Sequence, residues 1–115
     1  MTAQRLDTLR LIGSFGSGNV MAGELSRLSR RALSDFRLEK PKKDGASSVS
    51  YPFDPRLAAV ALRYHRTSAR VLWELVRSTA SRLEPLYDDV RNWFEQDDRD
   101  LFDDGMRISV ETHFV

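Results

Sequence analysis

A helix start with a defined direction lies in the middle of this chain, at Asp54-Pro55, and the elements on either side must fit around it. The Asp54 carboxylate can accept from the free N–H groups of a first helical turn. Pro55 suits the first helical position, where no N–H is needed. From there Leu57, Val60, Ala61 and Tyr64 recur at three- and four-residue spacing and predict an apolar stripe. Arg56, Arg63 and Arg66 fall together on a different side. The helix thus has one face for a core and one basic flank.

Beyond Ala69 the pattern reads two ways. Val71, Trp73 and Leu75 alternate as in a strand, whereas Leu72, Leu75, Val76 and Ala80 recur as in a continuing helix. The β-branched and aromatic residues lean toward the strand.

Upstream, Thr8-Leu-Arg-Leu-Ile12 predicts a short strand, and Gly13-Ser-Phe-Gly-Ser-Gly18 ends it. A helix is expected from about Asn19 to Leu33, with Met21, Leu25, Leu28 and Ala32 on one stripe and Arg27, Arg30 and Arg31 toward its negative end. Ser34 to Lys43 reads as a strand through Phe36 and Leu38. Lys40-Pro-Lys-Lys-Asp-Gly45 is a basic turn, and Asp44-Gly45 is a hairpin signal. Val49, Tyr51 and Phe53 alternate into a return strand that Pro52 would confine to an edge or cut short. Downstream, a third helix is expected from about Arg82 to Phe94, with Leu83, Leu86, Val90 and Trp93 or Phe94 on its apolar side. An acidic loop from Glu95 to Asp104 and a final strand from Met106 to Val115 close the chain. The expected class is α+β: a ferredoxin-like βαββαβ unit of the split βαβ type, followed by an αβ extension.

Charge is uneven. Residues 1–77 hold 14 Lys/Arg against 7 Asp/Glu, while residues 78–115 hold 4 against 10. A cationic front segment suits a polyanionic partner, because phosphate neutralisation dominates non-specific nucleic-acid affinity. The absence of cysteine excludes disulfides and thiolate metal sites. The N-terminus lacks the apolar core of a signal peptide and no run is long enough to span a bilayer, so a cytoplasmic location is the default expectation and no membrane partner is expected.

Sharper motifs fail on inspection. In the glycine-rich turn, Gly13 and Gly18 have Walker A spacing, but Asn19 and Val20 stand where Lys and Ser/Thr are needed. As a dinucleotide fingerprint the same stretch has Met21 at the third glycine position. Asp97, Asp98, Asp100, Asp103 and Asp104 do not place ligands at calcium-loop positions. His65 and His113 have no neighbouring ligand pattern, and Glu74, inside an apolar run, reads as a satisfied or edge-exposed carboxylate. No nucleophile, base and orienting group can be assembled.

The order of these segments resembles the N-terminal region of the THUMP-domain RNA methyltransferases, the large-subunit rRNA and tRNA guanine-N2 enzymes. There a helix ends in an Arg-Thr-Ala-x-Arg-Val-Leu-like run leading into a strand; here the run is Arg66-Thr-Ser-Ala-Arg-Val-Leu72. Leu86-Tyr-Asp-Asp-Val90 with Trp93 resembles the family's next helix, and Glu24-Leu25 matches its first. Val49-Ser-Tyr-Pro-Phe53 is similar to a Gly-Gly-Val-x-Phe strand, with Ser47-Ser48 standing where the glycine pair would be. Met106-Arg-Ile-Ser-Val110 resembles the strand that opens the THUMP fold.

The resemblance favours the strand after Ala69. It implies an N-terminal ferredoxin-like domain over residues 1–80 and the beginning of a THUMP-like domain over 81–115. It implies an RNA-binding, substrate-positioning portion of a methyltransferase for structured RNA, rRNA or tRNA. The catalytic domain, with its Asn-Pro-Pro-Tyr signature and S-adenosylmethionine, would lie elsewhere; this chain has no such motif and no cofactor of its own is expected. Independently of the resemblance, Arg56, Arg63, Arg66, Arg70, Lys40, Lys42 and Lys43 are the candidate phosphate contacts. The competing expectation for Arg66 and Arg70 is internal pairing with Asp54, Asp88 or Asp89. A competing function is a standalone interaction module that forms a homodimer.

Overall fold

The computed structural model of the chain describes residues 3–78 and 82–96. Strand β1 (Ala3–Ile12) is central and is longer than its alternating pattern suggested. Helix α1 (Gly18–Ala32) follows the glycine-rich turn. Strands β2 (Lys42–Lys43) and β3 (Ser48–Pro52) form a hairpin, helix α2 spans Pro55–Tyr64, strand β4 spans Arg70–Ser78, and helix α3 spans Leu83–Gln96. The four strands lie in the order β2-β3-β1-β4, with every neighbouring pair antiparallel. The class is α+β.

Alternation along the strands sorts the sheet into two faces. Leu9 lies opposite Tyr51 and Trp73, and Leu11 lies opposite Val49 and Val71. This face meets Met21 and Leu25 of α1 and Leu57 and Ala61 of α2 in one buried cluster. Fully burying each Leu, Met or Val contributes roughly 1.5–3 kcal/mol. Phe53 stacks on Trp73 with ring centroids 4.1 Å apart, and the Trp73 indole N–H donates to Asp7 at 2.7 Å. Tyr51 carries its hydroxyl into this core, where it has no hydrogen-bond partner among the described residues; burial pushes its pKa up to about 12. The opposite face presents Thr8, Arg10 and Ile12, flanked by Ser48, Ser50, Leu72 and Glu74.

Asp54 caps α2 as its type and position predict, accepting from the N–H groups of Arg56 and Leu57, with Pro55 in the first turn. Leu57, Val60 and Ala61 are buried as the stripe requires, but Tyr64 is 49% exposed because the helix ends there. The chain after Ala69 is strand, not helix.

Three expectations need correction. Ser34 to Lys43 does not form a strand: only Lys42–Lys43 pairs with β3. Asp35 adopts a left-handed φ of 55°, which breaks the extended run, and Phe36 and Leu38 instead pack beside the core. Of the two outcomes expected of Pro52, the edge position is not taken, since β3 lies between β2 and β1, whereas the early end is: Pro52 closes β3, where its missing N–H removes no further ladder bond. On α1, Ala32 is exposed and Ser29 is buried in place of a longer apolar stripe. The β1–β4 ladder continues past the end of β3 to Ala3 and Ser78, and α3 packs against this pair, with the Ser78 hydroxyl donating to Asp89 at 2.6 Å. Most of the expected acidic loop and all of the final strand, Met106 to Val115, lie outside the described residues.

Candidate nucleic-acid interface

The first question for a cationic segment is which carboxylates are already spent. Glu74 and Asp44 are both taken by Arg10: the guanidinium lies 2.6 Å from Glu74 and 2.8 Å from Asp44 and also donates to the Ser48 hydroxyl at 3.0 Å. The Arg10 side chain is only 12% exposed. Burial works against its charge, but the two carboxylates outweigh that and hold its pKa above the ordinary value. Glu74 is therefore a satisfied carboxylate, one of the two roles its apolar neighbours left open.

Glu24 is taken by backbone. One of its oxygens accepts from Arg66 N–H at 3.0 Å, Thr67 N–H at 2.9 Å and the Thr67 hydroxyl at 2.7 Å. Burial raises its pKa, but the bonds from Thr67 and Arg66 prevail and hold it below the usual carboxylate value. Beneath this contact the His65 side chain is fully buried. Its Nε2 donates to the Met21 carbonyl at 3.0 Å, and Nδ1 accepts from the Ser68 N–H at 3.3 Å. The ring thereby joins the end of α2 to α1, and both nitrogens are used internally. Asp54 is spent on the α2 cap and on Arg56, 3.4 Å away, with its pKa lowered by Arg56 and the cap bonds against a smaller effect of burial.

The cations named from sequence do not share one surface. Arg56 and Arg63 lie on the exposed side of α2, Arg56 over the Phe36 ring at 5.1 Å and Arg63 over Tyr64 at 5.6 Å. Arg66 is not on the helix: α2 stops at Tyr64, so Arg66 belongs to the connection that Glu24 ties down. Arg70 opens β4 opposite Ile12, at the far end of the sheet from the α2 cap. Lys42 pairs with Ser50 on the outer strand, whereas Lys43 turns toward α1 and donates to Asn19. Lys40 is exposed just before the hairpin.

Two features escaped the sequence. Arg27, Arg30 and Arg31 line a surface hollow of about 470 Å³ with Glu24 and Leu28, beside the connection that carries Arg66. Their spacing was visible, but only the tie between Glu24 and Arg66 shows that α1 and the end of α2 make one basic face. Phe15, in the glycine-rich turn, is 91% exposed; an isolated aromatic between glycines gave no sign of whether it points in or out. Among the described residues no group of three or more His, Asp or Glu is placed to hold a metal ion, and no helix is long and apolar enough to cross a membrane.

Comparison of the chain with protein-family models, with curated proteins and with solved structures finds no match.

Proposed function

We propose that this chain is an RNA-binding, substrate-positioning module of the kind that fronts THUMP-domain RNA methyltransferases. In this reading residues 1–80 are a ferredoxin-like domain and residues 81–115 begin a THUMP-like one. S-adenosylmethionine and the methyl-transfer chemistry belong to a separate or downstream domain, and the substrate is structured rRNA or tRNA. The strand order β2-β3-β1-β4, antiparallel throughout, supports the ferredoxin-like assignment.

The observation that carries the RNA reading is uncompensated charge. Asp44, Glu74, Glu24 and Asp54 are spent on Arg10, on backbone N–H groups and on Arg56. Arg27, Arg30, Arg31, Arg63 and Arg66 are left exposed on the helical side. These exposed guanidinium groups are free to take an anion, and phosphate accepts their planar fork. Titration of tRNA and rRNA fragments at several salt concentrations tests this. Arg63→Ala is expected to weaken binding across all sequences and to reduce the salt slope by about one; a double Arg30→Ala, Arg31→Ala variant is expected to reduce it by about two. Binding that ignores salt, or that survives both variants unchanged, overturns the proposal.

A second reading, a homodimerising interaction module, is favoured by β4. Among the described residues this nine-residue strand pairs on one side only, with β1. An open edge of that length is a template for another strand.

A further inference from the structure

We propose that the end of the sheet carrying Phe15 is a stacking platform for a single-stranded nucleic acid, with Phe15 taking the face of a base and Lys43 a neighbouring phosphate. This rests on the RNA reading above and extends it from a phosphate-holding face to a site that selects unpaired strands.

Among the described residues Phe15 is the most exposed of the large apolar side chains, at 91%. It contributes almost no buried area to the fold, yet its loop is tied down on both sides. Gly13 N–H donates to Ser47 at 2.8 Å, and Gly16 N–H donates to Ala46 at 3.0 Å. The Ser17 hydroxyl closes the turn on the Ser14 carbonyl at 2.6 Å. Gly16 has φ +83°, a conformation that a side chain would disfavour. The ring is therefore displayed from a braced turn, so little ordering entropy would be lost when a base stacks on it.

The same bonds bring the loop against the β2–β3 hairpin, whose strand β2 carries Lys42 on the Ser50 side and Lys43 on the side of α1. Lys43 donates to Asn19, in the first turn of α1, which places its ammonium beside the Phe15 loop. The hairpin's own carboxylate, Asp44, is occupied by Arg10 at 2.8 Å. An aromatic face beside a cation is the recurring composition of sites that hold single strands: the ring takes a base and the ammonium group takes the backbone. The charge decides against a protein partner, because the centres of protein interfaces are depleted in lysine. A duplex is excluded as the preferred ligand because its base faces are already stacked on each other.

The test is fluorescence anisotropy with a short labelled single-stranded RNA and with the same sequence as a duplex, for wild type, Phe15→Ala, Phe15→Trp and Lys43→Gln. Phe15→Ala is expected to weaken single-strand binding about 5- to 160-fold with an unchanged salt slope, leaving duplex binding as it was. Phe15→Trp restores the affinity. Lys43→Gln lowers the single-strand salt slope by about 0.7. Because Phe15 touches no core residue, the melting temperature of Phe15→Ala should match wild type, which separates loss of binding from loss of fold. Wild-type affinity in Phe15→Ala, with salt-dependent binding intact, overturns the platform and leaves the RNA reading standing. No salt-dependent binding by wild type to either RNA overturns both. A Phe15→Ala effect confined to sedimentation would assign the ring to a contact between copies and overturn the platform.

Discussion

Glu24 is a surface-helix glutamate whose work is done through backbone amides 42 and 43 residues away in sequence. Its pKa and that of Asp54 are both lowered in the folded chain, so the unfolded state binds more protons in acid. The stabilisation from both groups is complete above their unfolded values. It is lost as pH falls through the lowered folded values. Melting temperature against pH should therefore hold level near neutrality and drop on the acid side of the ordinary glutamate value, 4.5. Glu24→Gln should flatten that drop while lowering the neutral plateau, because the amide loses the charge that the two N–H groups and the hydroxyl favour. An acid limb identical to wild type in this variant would show that the carboxylate is not the titrating group. Nothing in the sequence marked Glu24 for this role. The local pattern gives a helix position, and its partners come from a connection on the other side of α2.

At the scale of elements, legibility tracked how local the determining interaction was. The α2 start was readable because its cap and its proline act within three residues, and the observed bonds from Arg56 and Leu57 to Asp54 are the expected ones. Burial of Leu57 against exposure of Leu62 follows from the same period. Leu57→Ala should cost about 2–5 kcal/mol in urea unfolding and Leu62→Ala no more than about 0.5 kcal/mol; similar losses at both positions would mean that α2 docks with a different face. The strand expected through Phe36 and Leu38 is broken where Asp35 takes a left-handed φ of 55°, and the two apolar side chains pack beside the core instead of joining the ladder. On this side of β3 the pairing is limited to Lys42 and Lys43. Helix α2 ends at Tyr64, two residues before Arg66, which places Arg66 off the basic flank and on the connection held by Glu24.

For the whole molecule, composition announced a surplus of positive charge but not its distribution. That distribution depends on which carboxylates folding consumes, and Arg10 alone takes two that are 30 residues apart in sequence, Asp44 and Glu74. The cations then separate into a helical face around Arg27, Arg30, Arg31 and Arg66 and a sheet end around Lys42 and Lys43. A residue list taken from sequence blended the two. The open side of β4 gives a further expectation at this scale. If copies join edge to edge, sedimentation should shift from monomer to dimer as concentration rises, and a proline at Leu75, whose N–H points away from β1, should abolish the shift; a monomer at every concentration removes the pairing.

Between Arg5 and Thr8 the β1 ladder has two residues, Leu6 and Asp7, facing the single Leu75 of β4. Such a surplus position acts as a buffer against changes in chain length. Losing Leu6 would draw only the first few residues of β1 one step along their partner and leave Leu9 and Leu11 pointing inward. Losing Arg10 instead would invert the inward and outward sets on one side of the break, sending one of these two leucines to water. A deletion scan along β1 should therefore find one forgiving spot, at the kink, in an otherwise intolerant strand.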